Sequence, residues 1–365
     1  MAWSPEDMKK VRFELNSAST APVVINDTSS FKPTAQRVVI VMATYNGGRF
    51  IEEQIQSIQA QSYSDWVLYV RDDGSRDDTV QKVLQIERAD HRVKLVRDEL
   101  GNQGPIGNFS TLMEFSLERN AGYVFFADQD DVWHAEKIAT MLAGVQELEL
   151  THGVQTPLLV HCDLAVVNEV LQPIANSFVK FSRLSPTTAD LGLLLCQNQV
   201  TGCACLINRA LLELACPVPP NVLMHDWWLA LLASSTGKIG FVPRQLVNHR
   251  QHSGNVLGAI SFSQRLKKLL FSTTQWKVHI SVIKRSFEQA GMLEERINSR
   301  GIDLPHTVAK QINTYSQILT IAPLRRGRTL RHQKIGRNAL KMRTGLIFNI
   351  LIALTRNNVE DKAVD

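Results

Sequence analysis

The sequence is poor in cysteine, and its cysteines lack the spacing of a metal or disulfide framework. Five occur among 365 residues, an odd number, and none forms a Cys-x-x-Cys pair. A zinc knuckle is therefore not expected, and a chain of this length can bury a core without disulfide crosslinks. Cys203 and Cys205 alternate in an apolar run, which predicts buried thiols on one face of a strand and favours a reducing compartment.

Long apolar runs are also missing. No stretch of about 18 apolar residues occurs, so no membrane-spanning helix is expected. Residues 1–36 are polar and lack the apolar core of a signal peptide, which predicts a flexible N-terminal segment.

Acidic residues are scarce toward the C-terminal end. Residues 261–365 contain 19 Lys and Arg against 7 Asp and Glu, whereas residues 1–260 contain 21 against 28. This asymmetry predicts a main domain over 37–260 and a separate, basic, helical region over 261–365 that has an anionic partner.

Within the main domain, β-branched apolar runs alternate with amphipathic segments such as the one carrying Ile51, Ile55 and Ile58. The predicted strands of this pattern cover 38–43, 66–70, 93–96 and 123–127. The alternation predicts an α/β fold with a mostly parallel sheet and helices on both faces, whose ligands bind beyond the carboxyl ends of the strands. Less regular patterns predict a helix cap at 75–78 and a glycine-rich loop at 101–107. They also predict two further strands, at 158–160 and 203–207, and a helix at 226–234.

Three carboxylates follow the fourth predicted strand, at Asp128, Asp130 and Asp131. Carboxylates this close repel one another, and a hard cation such as Mg²⁺ or Mn²⁺ relieves the repulsion while binding phosphate oxygens. The alternative is a solvated acidic turn. Because the cluster ends an aromatic-rich buried strand and precedes Val132 and Trp133, we favour a site for a metal ion and a diphosphate.

Two more polar clusters follow the first two predicted strands. An aromatic ring at a strand end, such as Tyr45, can stack on a nucleobase, and a carboxylate such as Asp73 can accept a hydrogen bond from a base N–H. The alternatives are a core tyrosine and a turn with a helix cap. The predicted nucleotide contacts are Ala43, Thr44, Tyr45, Asn46, Asp72, Asp73 and Asn108, the last of which directly follows the glycine-rich loop.

Residues His225-Asp226-Trp227-Trp228 place a carboxylate at the start of a predicted helix, beside two indoles. A carboxylate within hydrogen-bond reach of a sugar hydroxyl can act as its general base, and indole faces pack well on sugar rings. The alternative is that Asp226 caps the helix while the tryptophans lie in the core. Downstream, a further polar cluster can bind phosphate or a metal ion through His249, Arg250 and His252.

Together these clusters resemble those of the family 2 glycosyltransferases, which have the GT-A fold, a Rossmann-like and mostly parallel sheet. The resemblance covers residues 37–258. The residues at 127–133, 201–203 and 224–228 are most similar to the corresponding sequences of the rhamnosyltransferase-type branch. That branch is associated with bacterial O-antigen and other surface polysaccharides. The resemblance implies a GT-A catalytic domain over 37–260, followed by the basic helical extension.

The resemblance also implies roles for individual residues. The implied contacts to a pyrimidine base are Ala43, Tyr45 and Asp73. The implied ribose and metal contacts are Asp128 and Asp130, with Asp131 supporting or ligating the metal. Asp226 matches the general base of the family, and His252 matches a position that touches metal or diphosphate. The chain departs from the family at His225, where glutamate is common. We include His225 and Trp227 among the donor contacts, and the alternatives for His225 are that it orients Asp226 or contacts the acceptor.

The implied reaction is a single displacement that inverts the anomeric carbon. Asp226 removes the proton of an acceptor hydroxyl, and Mg²⁺ or Mn²⁺ stabilises the leaving nucleoside diphosphate. The implied donor is a TDP- or UDP-sugar, with rhamnose as the sugar, and the acceptor is a glycan or a lipid-linked saccharide.

The tail of the chain predicts contact with a membrane surface. Residues 324–356 contain nine Lys and Arg and no acid, and 345–354 is a short apolar stretch. A basic, apolar helix can lie in a membrane interface, so we expect a cytoplasmic protein that is peripheral on the inner face of the cytoplasmic membrane. The alternative is a helical cap with a solvated basic face. Nucleic-acid binding is not expected, because no recognised module is present.

Two other functions remain open at this point. A sugar nucleotidyltransferase also needs a pyrimidine pocket and an acidic metal site, but residues 44–49 are a poor version of its basic, glycine-rich triphosphate loop. A non-catalytic carbohydrate-binding protein is the third possibility, although it has no need for both Asp130 and Asp226.

Overall fold

The computed structural model describes residues 23–25, 36–187, 190–252 and 273–336. The apolar stretch at 345–354 lies outside these residues. Within the predicted flexible segment 1–36, Val23 and Val24 form a strand and Ile25 is buried, so this short part is folded onto the main domain.

A ten-stranded sheet organises the described residues. Its strands are β1 (Val23–Val24), β2 (Arg37–Thr44), β3 (Trp66–Asp72), β4 (Val93–Val96), β5 (Ala121–Ala127), β6 (Val132–Trp133), β7 (Leu158–Val167), β8 (Pro173–Ala175), β9 (Cys205–Asn208) and β10 (Lys238–Arg250). The main path runs in the order β1-β10-β7-β9-β5-β2-β3-β4. Along it β9 is antiparallel to β5 and β7, and the other pairs are parallel. The prediction of a mostly parallel sheet is confirmed.

The helices of the described residues fall on both sides of this sheet or beyond its edge. They are α1 (Ile51–Gln59), α2 (Thr79–Ala89), α3 (Gly104–Glu118), α4 (Lys137–His152), α5 (Phe178–Ser182), α6 (Leu191–Leu194), α7 (Arg209–Ala215), α8 (His225–Thr236), α9 (Thr273–Ser299), α10 (His306–Ser316) and α11 (Pro323–His332). Two 3₁₀ turns lie at Gly202–Ala204 and Ile318–Thr320.

Alternate side chains of β2 build two separate cores. Val39 and Val41 pack in one core with residues of α3, α8 and α9, whereas Ile40 and Met42 pack in the other with residues of α1 and α4. A central parallel strand must bury both of its faces, which explains the unbroken β-branched run in the sequence. The predicted layers of helices on both faces are confirmed.

The helices after residue 273 pack on the main domain rather than standing apart from it. Arg296 of α9 donates from Nη1 to Leu214 O and Ala215 O, each at 2.8 Å, at the C-terminal end of α7. Those carbonyls have no partner within their own helix, so the arginine supplies their hydrogen bonds. The predicted helical character of the C-terminal region is therefore found across its described part.

Two predicted helix starts differ from the structure. α3 begins at Gly104, inside the predicted glycine-rich loop, with a proline in its first turn. Proline fits the first turn because the N–H that it lacks has no partner within the helix there. At α2, the N-cap residue Asp78 makes no side-chain capping bond, and Asp77 instead accepts from Gly48 N–H at 2.9 Å. Asp77 also accepts from the N–H of Thr79, the first residue of α2, at 3.1 Å, so the predicted capping at 75–78 is found for Asp77 and not for the side chain of Asp78.

The apolar run at 203–207 is not one strand. Cys203 lies in the 3₁₀ turn Gly202–Ala204, and β9 begins only at Cys205. Both thiols are buried and free, as predicted, but they do not share one face of a strand. The turn gives Cys203 a different environment, next to the acidic cluster.

Candidate active site

The predicted polar clusters meet at one edge of the sheet. β2, β3 and β5 are parallel to one another, and β10 runs in the same direction because β9 is antiparallel to both β5 and β7. Their last residues are Thr44, Asp72, Ala127 and Arg250. The clusters at 43–46, 72–73, 128–131 and 249–252 begin at or just beyond these carboxyl ends, which is where ligands of such sheets bind, whereas the cluster at 225–228 begins α8.

Two histidines from the end of β10 hold the acidic cluster. His252 Nε2 lies 2.6 Å from Asp130 Oδ2, and His249 Nδ1 lies 3.0 Å from Asp131 Oδ1. Asp131 Oδ1 also accepts from Arg250 N–H at 3.1 Å. Residues 118 to 122 positions apart are thereby fixed against each other.

The carboxylates of this cluster are mutually destabilising. Burial raises the pKa of Asp128 to about 7, and the nearby Asp131 and Asp130 carboxylates add to the increase. Burial and Asp131 also raise the pKa of Asp130. Burial alone lowers the pKa of His249, but the facing Asp131 carboxylate outweighs it and raises that pKa to about 9. Such an excess of negative charge is what a divalent cation neutralises.

The donor atoms at the open side of the cluster fit Mg²⁺ or Mn²⁺. Asp128 and Asp130 offer carboxylate oxygens, and His252 offers an imidazole nitrogen, a set that Mn²⁺ accepts and that leaves room for phosphate oxygens. Asp131 has 0% exposure and turns inward to His249, so it anchors the end of β10. That Asp131 supports or ligates the metal ion stays a prediction, since it also belongs to a buried set of possible ligands.

A second set of possible metal ligands is buried next to the acidic cluster. Asp131, Cys203 and His249 are all buried, and their ligand atoms lie within 4.8 Å of one another. The sequence did not reveal this set, because Cys203 reads as a core thiol and its neighbours are distant in the chain.

The predicted base pocket presents an exposed ring. Tyr45 is 48% exposed, which excludes the alternative of a core tyrosine. Its backbone N–H donates to Gln129 Oε1 at 2.9 Å, and Gln129 Nε2 donates back to Tyr45 O at 3.1 Å. Gln129 thus joins this loop to the acidic cluster, a role with no local signal in the sequence. Asn46 has a φ of 49°. Its side-chain Oδ1 accepts from Arg76 N–H, and its backbone N–H donates to Ser75 Oγ.

The two aspartates after β3 have different surroundings. Asp72 accepts from Thr44 Oγ1, from Ser75 Oγ and from the N–H groups of Gly74 and Ser75, so all four lone-pair positions are used locally. Asp72 and the buried Thr44 therefore support the loop, and direct contact with a nucleotide is not favoured for either.

Asp73 is also buried, at 3% exposure, but fewer of its acceptor positions are used. Its Oδ1 accepts from Arg71 Nη1 and Gln103 N–H, whereas its Oδ2 accepts from Gly104 N–H among the described residues, so one acceptor position remains. Asn108 lies behind this pair, 2% exposed, and donates to Arg71 O at 3.2 Å. The predicted contact of Asn108 with a donor is therefore replaced by a supporting position, while Ala43 is half-buried at the end of β2.

Asp226 lies in the first turn of α8, two residues after the N-cap residue Met224. Asp226 Oδ1 accepts from Asn198 Nδ2 at 3.0 Å, and Oδ2 accepts from Gly202 N–H at 2.9 Å. Burial raises the pKa of Asp226 to about 6, although hydrogen bonds from Trp227 N–H, Gly202 N–H and Asn198 oppose the increase. A carboxyl group held this way is a base near neutral pH.

The neighbours of Asp226 lie in the core. Trp227 donates from its indole N–H to Leu194 O at 2.6 Å, and Trp228 is 0% exposed. His225 is 2% exposed, and its ring lies between Phe109 and Phe126, with centroids 4.1 and 5.3 Å away. Burial lowers the pKa of His225 to about 3, so the ring is neutral. The predictions of donor contacts for His225 and Trp227 are wrong, because both side chains are taken up by packing.

Trp228 gives a test of this assignment. We expect Trp228→Ala to lower the free energy of unfolding by about 3–5 kcal/mol, because a fully buried indole is lost and a cavity remains. Tyr45→Ala is the matched aromatic control and should change it by less than about 0.5 kcal/mol, since that ring is exposed. Urea unfolding followed by circular dichroism measures both; equal losses would place Tyr45 in the core as well.

Comparison with known proteins agrees with this geometry. Residues 39–164 match the family model described as Glycosyl transferase family 2. The chain carries a family 2 glycosyltransferase domain. That domain spans β2 to β7 and therefore includes the base pocket and the acidic cluster.

Two curated relatives show the range of similarity. The dTDP-rhamnosyl transferase RfbG of Shigella flexneri is 26% identical over 255 residues, which cover 64% of this chain and 80% of the relative. The UDP-Glc:alpha-D-GlcNAc-diphosphoundecaprenol beta-1,3-glucosyltransferase WfgD of Escherichia coli is 35% identical over 106 residues, 29% of this chain and 40% of the relative.

Solved structures share the fold. The mannosyltransferase PcManGT from Pyrobaculum calidifontis, in complex with GDP-Man and Mn²⁺, has a TM-score of 0.50 and 12% identity, covering 95% of this chain and 89% of its own. GalNAc-T7 with UDP, GalNAc and Mn²⁺ has a TM-score of 0.51 and 14% identity, covering 79% and 58%. The predicted GT-A fold is confirmed.

Proposed function

We propose that this glycosyltransferase inverts the anomeric carbon of a TDP- or UDP-sugar, rhamnose in the first instance, as it transfers the sugar to a glycan or lipid-linked acceptor in surface polysaccharide synthesis. The observation that carries the proposal is the Gly202–Ala204 turn, which joins the two halves of the site. Gly202 N–H binds the Asp226 carboxylate, and the next residue, Cys203, lies against Asp131 and His249.

Each half has one task. On the donor side, Tyr45 stacks on the base and Asp73 accepts its ring N–H, while Asp128, Asp130 and His252 hold the metal ion. The ion, when bound, stabilises the negative charge of the departing diphosphate. On the acceptor side, Asp226 takes the proton of the attacking hydroxyl. The name of the Shigella relative supports TDP-rhamnose, and that of the Escherichia relative supports a lipid-linked acceptor.

Donor binding is tested by thermal unfolding in the presence of ligands. TDP-rhamnose and UDP-sugars with Mn²⁺ or Mg²⁺ should raise the unfolding temperature, because a ligand that binds the folded state stabilises it. Release of TDP on addition of an acceptor then reports transfer, and NMR of the product gives the anomeric configuration. Pyrophosphate release from a sugar phosphate and a nucleoside triphosphate, without transfer, would decide for the nucleotidyltransferase.

The raised pKa of Asp226 predicts a pH dependence. Because the base works as the carboxylate, kcat/KM for the acceptor should be half-maximal near pH 6, level off about one pH unit higher and fall about tenfold per pH unit well below it. An acidic limb centred near pH 4 would mean that the titrating group is not the buried Asp226. The measurement is the initial rate at saturating donor and low acceptor from pH 4.5 to 8.

We also propose that the protein is cytoplasmic and binds the inner membrane surface through its basic tail. Within the described residues, no helix is long and apolar enough to cross a membrane. The exposed cations of the described tail are Arg325, Arg328, Arg331 and Lys334. Arg326 is not among them, because it is buried and donates to Ile321 O and Leu319 O. Its place in the predicted basic face is therefore corrected.

Charge reversal tests the membrane contact. Arg325→Glu with Arg328→Glu should lower co-sedimentation with vesicles of anionic lipid by about tenfold or more at low salt, since each cation near the surface contributes about 1 kcal/mol. Lys94→Glu, on the exposed edge strand β4, is the control. Equal binding of all three proteins would leave the alternative of a solvated helical cap.

A further inference from the structure

Lys137, the first residue of α4, is a buried cation close to the proposed site. It has 0% exposure, and its Nζ donates to Cys203 O at 2.6 Å. The same atom lies 3.3 Å from the centre of the Trp133 ring. Burying an ammonium group costs stability unless hydrogen bonds and opposite charge compensate for it. An apolar side chain would fill this volume without that cost, so what Lys137 adds is a donor directed at one carbonyl.

That carbonyl belongs to the turn that holds Asp226. The turn closes through Ala204 N–H and Thr201 O at 2.9 Å, and Gly202 N–H donates to Asp226 Oδ2. One residue separates the amide that binds the base from the carbonyl that binds Lys137. A shift of the turn on one side therefore moves the donor on the other.

The turn has little freedom to compensate. A Cβ added to Gly202 would lie 2.9 Å from His225 Nε2 and 3.5 Å from Asp226 Oδ2. His225 is itself packed against the rings of Phe109 and Phe126, so the backbone of the turn lies against an imidazole ring that has little room to move. Lys137 supplies a further polar contact that holds the turn, at Cys203 O.

We propose that Lys137 is a positioning residue for glycosyl transfer, which holds the Thr201–Ala204 turn through Cys203 O so that Gly202 N–H stays aimed at the Asp226 carboxylate. The proposal rests on the proposed role of Asp226 as general base. It differs from a purely structural role because it predicts a change in the ionisation of Asp226, and not only in stability. Loss of the Gly202 hydrogen bond removes an interaction that favours the carboxylate, so the pKa of Asp226 should rise.

The test follows the Gly202 amide directly. In protein labelled with ¹⁵N-glycine, the pH titration of the Gly202 amide resonance reports the ionisation of Asp226. We expect Lys137→Met to raise the titration midpoint by about half a pH unit or more. We also expect it to lower kcat about tenfold, with the donor KM changed less than about threefold, because Tyr45 and Asp73 of the base pocket lie beyond β2 and β3. Lys94→Met, an exposed lysine on β4, is the matched control and should leave all three values unchanged.

The outcomes separate the two proposals. An unchanged Gly202 titration in the Lys137→Met protein overturns the positioning role, whatever the kinetics. A shifted titration together with no transfer activity in the wild type supports the contact network and overturns the proposed function. If the Met variant does not fold, Lys137→Gln decides, since it keeps an N–H donor without the charge. A Gly202 midpoint like that of the wild type supports the hydrogen bond to Cys203, and a shifted one assigns the effect to charge and overturns the proposal.

Discussion

Asp226→Asn should lower the rate of sugar transfer by about 10³-fold while the affinity for donor and metal stays within about threefold of the wild type. The amide cannot take a proton from the acceptor hydroxyl, and general-base catalysis contributes about 10²–10⁴-fold. Donor binding is preserved because Tyr45, Asp73, Asp128 and Asp130 lie at the ends of other strands. Single-turnover transfer and calorimetric titration of the donor measure the two quantities separately.

The hydrogen bonds around Asp226 supply a stringent control. In Asp226→Asn, the new amide faces donors at both Asn198 Nδ2 and Gly202 N–H, so part of the loss could come from a displaced side chain. Adding Asn198→Asp exchanges the carboxylate and the amide between the two positions. The side chain at 226 then donates to the one at 198, the reverse of the native contact, and still accepts from Gly202 N–H. The double variant should stay inactive, since the carboxylate is no longer at 226. Recovery to within about tenfold of the wild type would show that Asp226 only orients its surroundings.

The sequence alone was enough to locate this site at one edge of the sheet. Asp73, Asp128 and Tyr45 each follow a run that is recognisable as a buried strand, and parallel strands bring their carboxyl ends together whatever the details of packing. The mostly parallel sheet and the helices on both faces follow from the same reasoning. None of these predictions needed knowledge of a contact between distant residues.

Predictions that depended on such contacts were the ones that differed. Asp131 looks like its neighbours in the sequence, and its inward orientation comes from His249, a partner 118 positions away. Trp227 stands beside the proposed base, yet its indole N–H binds Leu194 O across the core. Cys203 leaves the expected strand and lies in a turn whose contacts are to Lys137, through Cys203 O, and to Asp226, through Gly202 N–H. Local composition contains no information about any of these partners.

Asp130 and Asp131 are neighbours in the sequence but differ in their surroundings, so their substitutions should have different effects on the metal side of the site. We expect Asp130→Asn to abolish the Mn²⁺-dependent part of donor stabilisation and to lower kcat/KM by about 100-fold or more. An open-side carboxylate is lost there, and a metal ion contributes several kcal/mol to stabilising the transition-state charge. Its free energy of unfolding without metal should hardly fall, because Asp130 is one of three acids that repel one another.

Asp131→Asn should have the opposite signature. Its carboxylate is fully buried against His249 and Arg250 N–H, and breaking a buried ion pair by removing one partner costs about 3–5 kcal/mol. We therefore expect a large loss in the free energy of unfolding, measured with urea, and a donor stabilisation by Mn²⁺ that is retained at temperatures where the variant is folded. If Asp131→Asn instead kept its stability and lost the metal effect, then Asp131 would be the ligand, and the metal ion would lie deeper, toward Cys203 and His249.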